Sequence, residues 1–532
     1  MTNPIINRSD EWLILYASNM QGIDTSDASH NFSVLNNKLD AEELQISATL
    51  KVDRALVQWS FCGDYLAIAS ESCLCIRDEQ TLQIIQQYTA NDVIQSIAWS
   101  TGSVLIAAAS FKRGILQIWS IKDTSWTCKI SEGIAGLTSF SWLPDSLHVI
   151  TVSDFQLYAT VWSLRDRSKK VIRHPKLSAS DGFASSPDGN LLAVVERSQC
   201  KDYLGVYDSK KWELQAHFAL QSYDCVQVAW APDNCAIAVA DNTLEYRVLF
   251  YLPDGTLLSN YEAYKDALGL RVMTWSPGGD FIALGSYDDH LRILNSLTWQ
   301  PVADIAHDVI ATQLNRCTRH AIEYEEHFGK QAVLDRPQGR RVTITKSTGR
   351  NDHSTTLHST TAMLAASNAA RAISDLNITG RQQDVCFVTR KPPFSVMVVA
   401  SDPAIEIPLM GIQRAIWSAD SRYIATKSEL TPHNIWIWSV QDVTLAAVLT
   451  LLQPVKSFQW HTEWTTLAIV TGGRRVYLWS ADSAVSWIDI PFDNFKALGI
   501  RWNPKNSSLI AISRQECCCI LFSDTPMQRT SQ

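Results

Sequence analysis

No run in this chain of 532 residues approaches the roughly 20 apolar residues of a membrane-spanning helix, so no membrane contact is expected. The opening MTNPIINRSDEWLILYASN has an apolar stretch of only about five residues, just after Arg8, Asp10 and Glu11, too short and too charged for a secretory leader. A cytoplasmic or nuclear setting is the expectation. An excess of basic charge is also lacking: 46 Lys and Arg stand against 54 Asp and Glu, a net charge of −8. Broad nucleic-acid binding needs a basic face and is not expected, although a local basic patch stays open. Twelve cysteines do not make a disulfide framework, since Cys517, Cys518 and Cys519 are consecutive. Cys73 and Cys75 share one face of a strand-like run, but no second pair follows at zinc spacing. Buried thiols are the expectation. Phosphate-binding, dinucleotide-binding, nucleophile-elbow and zincin motifs are all missing. No catalytic residue, cofactor or metal ligand set is therefore assigned, and an enzyme is not expected.

What the chain has is a recurring tryptophan. Trp59, Trp99, Trp142, Trp230, Trp275, Trp417, Trp460 and Trp502 each end a short apolar run, and a turn and a second apolar run follow. The spacings are 40, 43, 88, 45, 142, 43 and 42 residues. The 88 is two periods, because Ser185 in FASSPDGNLLAVV stands in the tryptophan's place. A period of roughly 40–45 residues built from short strands predicts a β-propeller, a surface for partners more than a pocket for a reaction. It also explains a length beyond the roughly 250–300 residues at which single cores stop growing, because each repeat packs only on its neighbours.

One unit shows the pattern. Val272–Trp275 meets the turn Pro277-Gly278-Gly279, Phe281–Ser286 reads as a buried strand, and Leu291–Asn295 alternates as a half-buried one. Pro301–Ile305 supplies an outer strand. Nine such cores are visible, with ten if a degenerate one is counted. The fold class is all-β, a WD40-type propeller of four-stranded blades in one large ring or two unequal toroids, unless a partner completes an open ring. The predicted organisation is an N-terminal extension (1–49), six blades (50–305), a polar, partly disordered insertion (306–384), three blades plus a candidate degenerate blade at 385–410 (385–524), and a tail (525–532). Residues 31–35 are the candidate ring-closing strand. In the insertion, 346–361 reads as a Ser- and Thr-rich loop, and 362–376 as a loop or a short partner-binding helix.

Candidate sites are few. HAIEYEEH gathers His320 and His327 with Glu323, Glu325 and Glu326, readable as a metal site but better as a solvated strand or loop. Asp288 and Asp289 read as solvated turn caps. Trp119, Trp162, Trp438 and Trp479 end strands and read as core. Trp436 alternates with Ile435 and Ile437 and is placed outward, where it would anchor an interface. The turns Phe111-Lys112-Arg113-Gly114 and Gly472-Gly473-Arg474-Arg475 offer basic pairs to an acidic partner.

The third strands end Ile118-Trp119-Ser120, Val161-Trp162-Ser163, Ile437-Trp438-Ser439 and Leu478-Trp479-Ser480, matching the WD-repeat pattern without its Trp-Asp or Gly-His dipeptides. The hydrogen-bonded tetrad that braces such blades is expected to be missing or incomplete, leaving apolar packing to carry more. Beyond the generic blade, TLQIIQQYT (81–89), FKRGILQIWS (111–120), SWTCKISEGIAGL (125–137), CKDY (200–203), LEYRVLFYLPDGTLLSNYEAY (244–264), LGSYDDHLRILNSLTW (284–299) and TGGRRVYLWS (471–480) resemble one family. It is the centrosomal and spindle-pole WD-repeat family known as WD-repeat protein eight, or WRAP seventy-three. The resemblance spans about residues 50–305 and 405–524. It implies a non-enzymatic scaffold at the centrosome or spindle pole body. Such a scaffold binds a coiled-coil anchoring protein, associates in fungi with a minus-end-directed kinesin of class fourteen, and helps anchor microtubule minus ends. The alternatives are an adaptor in a ubiquitin-ligase or RNA-processing complex and a propeller enzyme acting in its channel.

Overall fold

The computed structural model describes residues 32–35, 37–39, 44–312, 315–328, 385–399 and 409–522. The Ser- and Thr-rich stretch 346–361, the helix candidate 362–376 and the tail 525–532 lie outside them. Eight blades are complete antiparallel four-stranded units in chain order: blade 1 (57–89), blade 2 (96–131), blade 3 (139–173), blade 4 (183–219), blade 5 (227–261), blade 6 (270–306), blade 7 (412–450) and blade 8 (457–489). Blade 9 takes three strands from 499–522, and its fourth, Leu44–Ile46, comes from the other end of the sequence, with Ile46 opposite Ile520.

Nine apolar cores join the nine blades pairwise around the circle. Trp99 and Ile106 of blade 2 pack with Ala67 and Ile76 of blade 1. Successive cores join blades 2–3, 3–4, 4–5 and 5–6. The next join 6–7, 7–8 and 8–9. The last sets Trp59, Leu66 and Ile68 of blade 1 against Ile510, Ile512 and Cys519 of blade 9. The ring is therefore single and closed, and neither two toroids nor an open ring describes it. Closure buries the apolar blade faces that an open ring would expose, and the radial arrangement leaves only short strand edges.

The repeating tryptophan has a second job besides filling space. At five of the eight positions its indole N–H reaches the first strand of the preceding blade, while Trp59, Trp230 and Trp275 make no such bond. Trp99 donates to Gln58 O (3.1 Å), Trp142 to Ala98 O (3.0 Å), Trp460 to Ile416 O (3.0 Å) and Trp502 to Gln459 O (3.1 Å). Trp417 donates to Thr274 O (3.3 Å), which makes blades 6 and 7 neighbours across the long insertion. At the ring closure Trp59 Nε1 has no such partner; Asn503 Nδ2 bonds Gly63 O (3.0 Å) there instead.

Three expectations change. Phe32–Leu35 does not close the ring; it pairs with Val385–Arg390. Residues 385–410 add no tenth blade among the described residues. Val385–Arg390 pairs with Ile322–Phe328, which lies parallel to the last strand of blade 7, giving a seven-stranded sheet. Phe394–Ser395 pairs with Ile310–Ala311. All twelve cysteines are free, and Cys225, Cys386 and Cys517–Cys519 are buried, but Cys62, Cys200 and Cys235 are exposed.

Candidate interaction surface

The bracing network survives in two blades. In blade 7 Trp438 Nε1 donates to Thr426 Oγ1 (3.1 Å), and Thr426 bonds His307 Nε2 (2.7 Å). His307 Nδ1 bonds Asp289 O (3.0 Å). This chain of donors requires a neutral imidazole protonated at Nδ1. Burial favours that form, holding the His307 pKa down at about 4. In blade 3 Trp162 Nε1 donates to Thr151 Oγ1 (2.8 Å), whose hydroxyl donates to Glu132. A carboxylate there takes the acceptor role of the imidazole. Asp289, expected to be solvated, is half-buried, and burial raises its pKa to about 6. Asp288 is exposed and accepts from Arg292 Nη2 (2.7 Å).

HAIEYEEH is neither a metal site nor a solvated strand. Among the described residues no group of His, Cys, Asp and Glu could hold a metal ion. Glu323 and Glu326 are buried, whereas His320 is exposed. Glu326 accepts from Tyr477 Oη (2.8 Å) and Leu452 N (3.0 Å), tying the insertion to blades 7 and 8. Thr450 Oγ1 donates to Glu323 (3.0 Å). Burial raises both carboxyls, Glu323 to about 7.

The sequence-selected contacts fall in different places. Trp436 is fully buried, with Nε1 on Thr431 Oγ1 (3.2 Å), so it anchors no external partner. Both faces of a blade strand are covered by neighbouring blades, and alternation there does not separate inside from outside. Arg475 is drawn inward between Asp489 (2.7 Å) and Glu326 (3.5 Å). Arg474 stays nearer the surface, paired to Asp493 (2.6 Å). Phe111 is half-buried; Lys112 and Arg113 are exposed, with Arg113 on Asp92 (2.8 Å).

That last turn belongs to a larger surface. Gly114 approaches Gly136 so closely that a Cβ on Gly114 would lie 3.4 Å from Gly136 Cα. Gly136, at φ +66°, leaves no room for a Cβ beside Asp154, and Thr138 Oγ1 fastens Asp154 Oδ1 (3.0 Å). The turns 111–114, 132–138 and 153–157 thus abut on one end of blades 2 and 3. They carry Ile134 (109% exposed), Phe155 (93%) and Leu157 (57%) beside Lys112. Phe155 sits at φ 57°, ψ 15°, left-handed backbone that a bulky residue rarely adopts. Strain of this kind persists only where surrounding structure imposes it, and it clusters at functional sites. The chemistry is that of an apolar knob with a basic edge, suited to the apolar stripe of a helix.

A cavity of about 710 Å³ opens elsewhere, between blades 3 and 4. Asp145, His148, Asp166, Arg165, Lys210 and Lys211 mix both signs on its wall. Ser163 spends its hydroxyl on Asp166 (2.7 Å), so no activated nucleophile is assembled from it.

A closed ring of four-stranded blades, latched by a periodic tryptophan and braced in places by a Trp–Thr network, defines a WD40-type β-propeller. Comparison with known proteins gives the narrower placing. The mouse WD repeat-containing protein WRAP73 is 35% identical over 480 residues, covering 90% of this chain and 96% of its own. The chain belongs to this WRAP73 family. The match reaches well beyond residues 50–305 and 405–524, where the sequence resemblance was drawn. An uncharacterised WD repeat-containing protein of Schizosaccharomyces pombe is 21% identical over 83% of this chain and 84% of its own. Among solved structures, the C-terminal WD40 domain of Sif2 aligns over 90% of this chain and 99% of its own, at 11% identity and a TM-score of 0.46. No protein-family model matches the chain.

Proposed function

We propose that this protein is a non-enzymatic scaffold of the centrosome or spindle pole body that binds a coiled-coil anchoring protein and helps hold microtubule minus ends during spindle organisation. Membership of the WRAP73 family supports a scaffold, and the pole address follows the resemblance already drawn. The observation that carries the reading is the exposed cluster Ile134, Phe155 and Leu157 beside Lys112. Large apolar side chains held out by a strained turn are what an amphipathic helix needs as a first contact. In a fungal setting a minus-end-directed kinesin of class fourteen is a second expected partner.

The test is affinity purification of the tagged chain from dividing cells, with mass spectrometry and localisation of the tag. The expected result is recovery of a coiled-coil pole protein at spindle poles, lost in Ile134→Ser/Phe155→Ser. Recovery with a ubiquitin ligase or a ribonucleoprotein, with a diffuse tag, would establish the generic adaptor instead.

A further inference from the structure

At the junctions of blades 1–2, 2–3, 4–5, 6–7, 7–8 and 8–9 the first strands are the elements of the two blades that come closest. Examples are Leu270–Trp275 with Ile412–Trp417, and Ser457–Trp460 with Gly499–Trp502. Only the innermost strands of a ring can do this, so these nine segments line the central channel. Their composition is lopsided. Blades 1 to 5 contribute VQW, SIAW, SFSW, FAS and QVAW, without a charge. Blades 6, 7 and 9 contribute Arg271, Arg414 and Arg501. Blade 8 has Lys456 immediately before its inner strand. No Asp or Glu occurs in any of the nine, although the chain as a whole carries −8.

The pairing of these cations is equally uneven. Arg271 bonds Met410 O (2.6 Å) and Glu429 (3.0 Å). Arg414 lies over the Phe458 ring (5.1 Å) and meets no carboxylate among the described residues; Arg501 meets none either. Both are exposed, while their neighbours Ala415, Trp417, Ile500 and Trp502 are buried, so both guanidinium groups open on the channel. Lys427 stands close enough to Lys456, Arg414 and Arg271 to feel all three, with Glu429 as the opposing charge. Arg414 and Arg501 reach water on the channel side only, and the protein crowded around them strips part of their hydration, which, with the burial of Lys427, holds all three below their ordinary values. Four cations and Arg501 thus face two carboxyls across this arc, Glu429, already paired with Arg271, and half-buried Asp289, which lies within the field of Arg271 and bonds Ser428.

We propose that the arc of the channel formed by blades 6 to 9 binds an acidic peptide segment of a partner, an extended chain carrying several Asp or Glu side chains. Arg414 and Arg501 supply the main contacts. Small residues between them, Ser457 and Gly499, leave room for a polypeptide backbone. A nucleic acid fits less well. Trp417, Trp460 and Trp502 are turned into the blade interfaces and buried, and half-buried Trp275 packs on Phe250 and Trp299, so the described residues of this arc offer no row of free aromatic faces for successive bases. The overall negative charge also opposes a long polyanion at a distance, whereas a short segment responds to the local field. This site is separate from the apolar cluster on blades 2 and 3, and it stands or falls independently of the spindle-pole reading.

The test uses the full chain and a short fluorescein-labelled oligoglutamate peptide followed by anisotropy. Binding should be saturable and should weaken as salt rises toward physiological strength. Arg414→Gln/Arg501→Gln should weaken it on the order of tenfold. Arg414→Lys/Arg501→Lys should retain most of it, and Lys210→Gln/Lys211→Gln, at the cavity outside the channel, should leave it unchanged. Should the double Gln variant unfold, Arg501→Gln alone serves, since that side chain has no bonded partner among the described residues. No binding of the peptide, equal binding by the Gln variants, or tighter binding of a single-stranded oligonucleotide of matched charge would overturn the proposal.

Discussion

Blades 3 and 7 solve one bracing problem with opposite chemistry. Each has a third-strand tryptophan donating to a second-strand threonine, Trp162 to Thr151 and Trp438 to Thr426. The threonine then needs an acceptor. The segment leaving blade 6 supplies buried, neutral His307, and the turn leaving blade 2 supplies the half-buried carboxylate of Glu132. The brace is thus defined by its donor–acceptor order, which more than one residue type can complete. The two versions must differ in strength and in response to pH, because one is sealed from water and the other is not.

Removing the sealed acceptor should have the largest effect. His307→Ala leaves the buried Thr426 hydroxyl without its acceptor, leaves the Asp289 carbonyl with only the backbone N–H of residue 307, and opens a cavity, so a loss of about 2–4 kcal/mol is expected in urea denaturation. The same imidazole sets an acid limb. Its pKa falls from 6.5 in the unfolded chain to about 4 when folded, so its stabilisation is complete above pH 6.5 and is lost as pH falls towards 4. His307→Gln should flatten that limb.

Glu323, on the strand added beside blade 7, works in the reverse sense. Its carboxyl rises from 4.5 to about 7, so the folded state holds a proton that the unfolded chain has released, and stability falls as pH rises between those values. Glu323→Gln should recover on the order of 2–3 kcal/mol at pH 8 and nothing below pH 4.5. Denaturation midpoints at the two pH values would decide it; equal gains at both would refute the protonation account.

In blade 3 the expected changes are smaller. Glu132→Ala should cost about 1 kcal/mol, because water can replace the lost acceptor at a half-buried site. Phe155→Gly should raise thermal stability slightly, by roughly 0.5–1 kcal/mol, by relieving the left-handed backbone. Partner capture should fall at the same time. A variant that lost both would show Phe155 to be structural.

The ring was legible in the sequence because each blade needs a large apolar side chain at the end of its first strand, and the Trp59-to-Trp502 series recorded it, whether or not the indole N–H also found a partner. Blade 7's neighbour across the insertion was not, since Trp417 reaches Thr274 over a gap in which the period is silent. The closing strand escaped because Leu44–Ile46 is three residues long, whereas 31–35 has the better strand composition. Expecting the brace to be incomplete suited most blades, yet two keep it with residues that no dipeptide signature marks. Glu323 and Glu326 read as solvated because their partners, Thr450 and Tyr477, lie more than a hundred positions away. The interaction cluster was half visible. Phe111-Lys112-Arg113 stood out as a basic turn, while Ile134 and Phe155 announced themselves only as bulky apolar residues inside turns.

The strand that completes blade 9 also sets a clock for biosynthesis. Ser47 bonds Cys519, 472 positions later. At the usual ribosomal pace that separation lasts roughly half a minute to a minute and a half. Throughout it, the last blade's partner is already made and has nothing to zip onto. A nascent chain of eight finished blades therefore carries two raw ends, one on blade 1 and one on blade 8. Chaperone dependence should peak in that interval and end when the final strand leaves the exit tunnel.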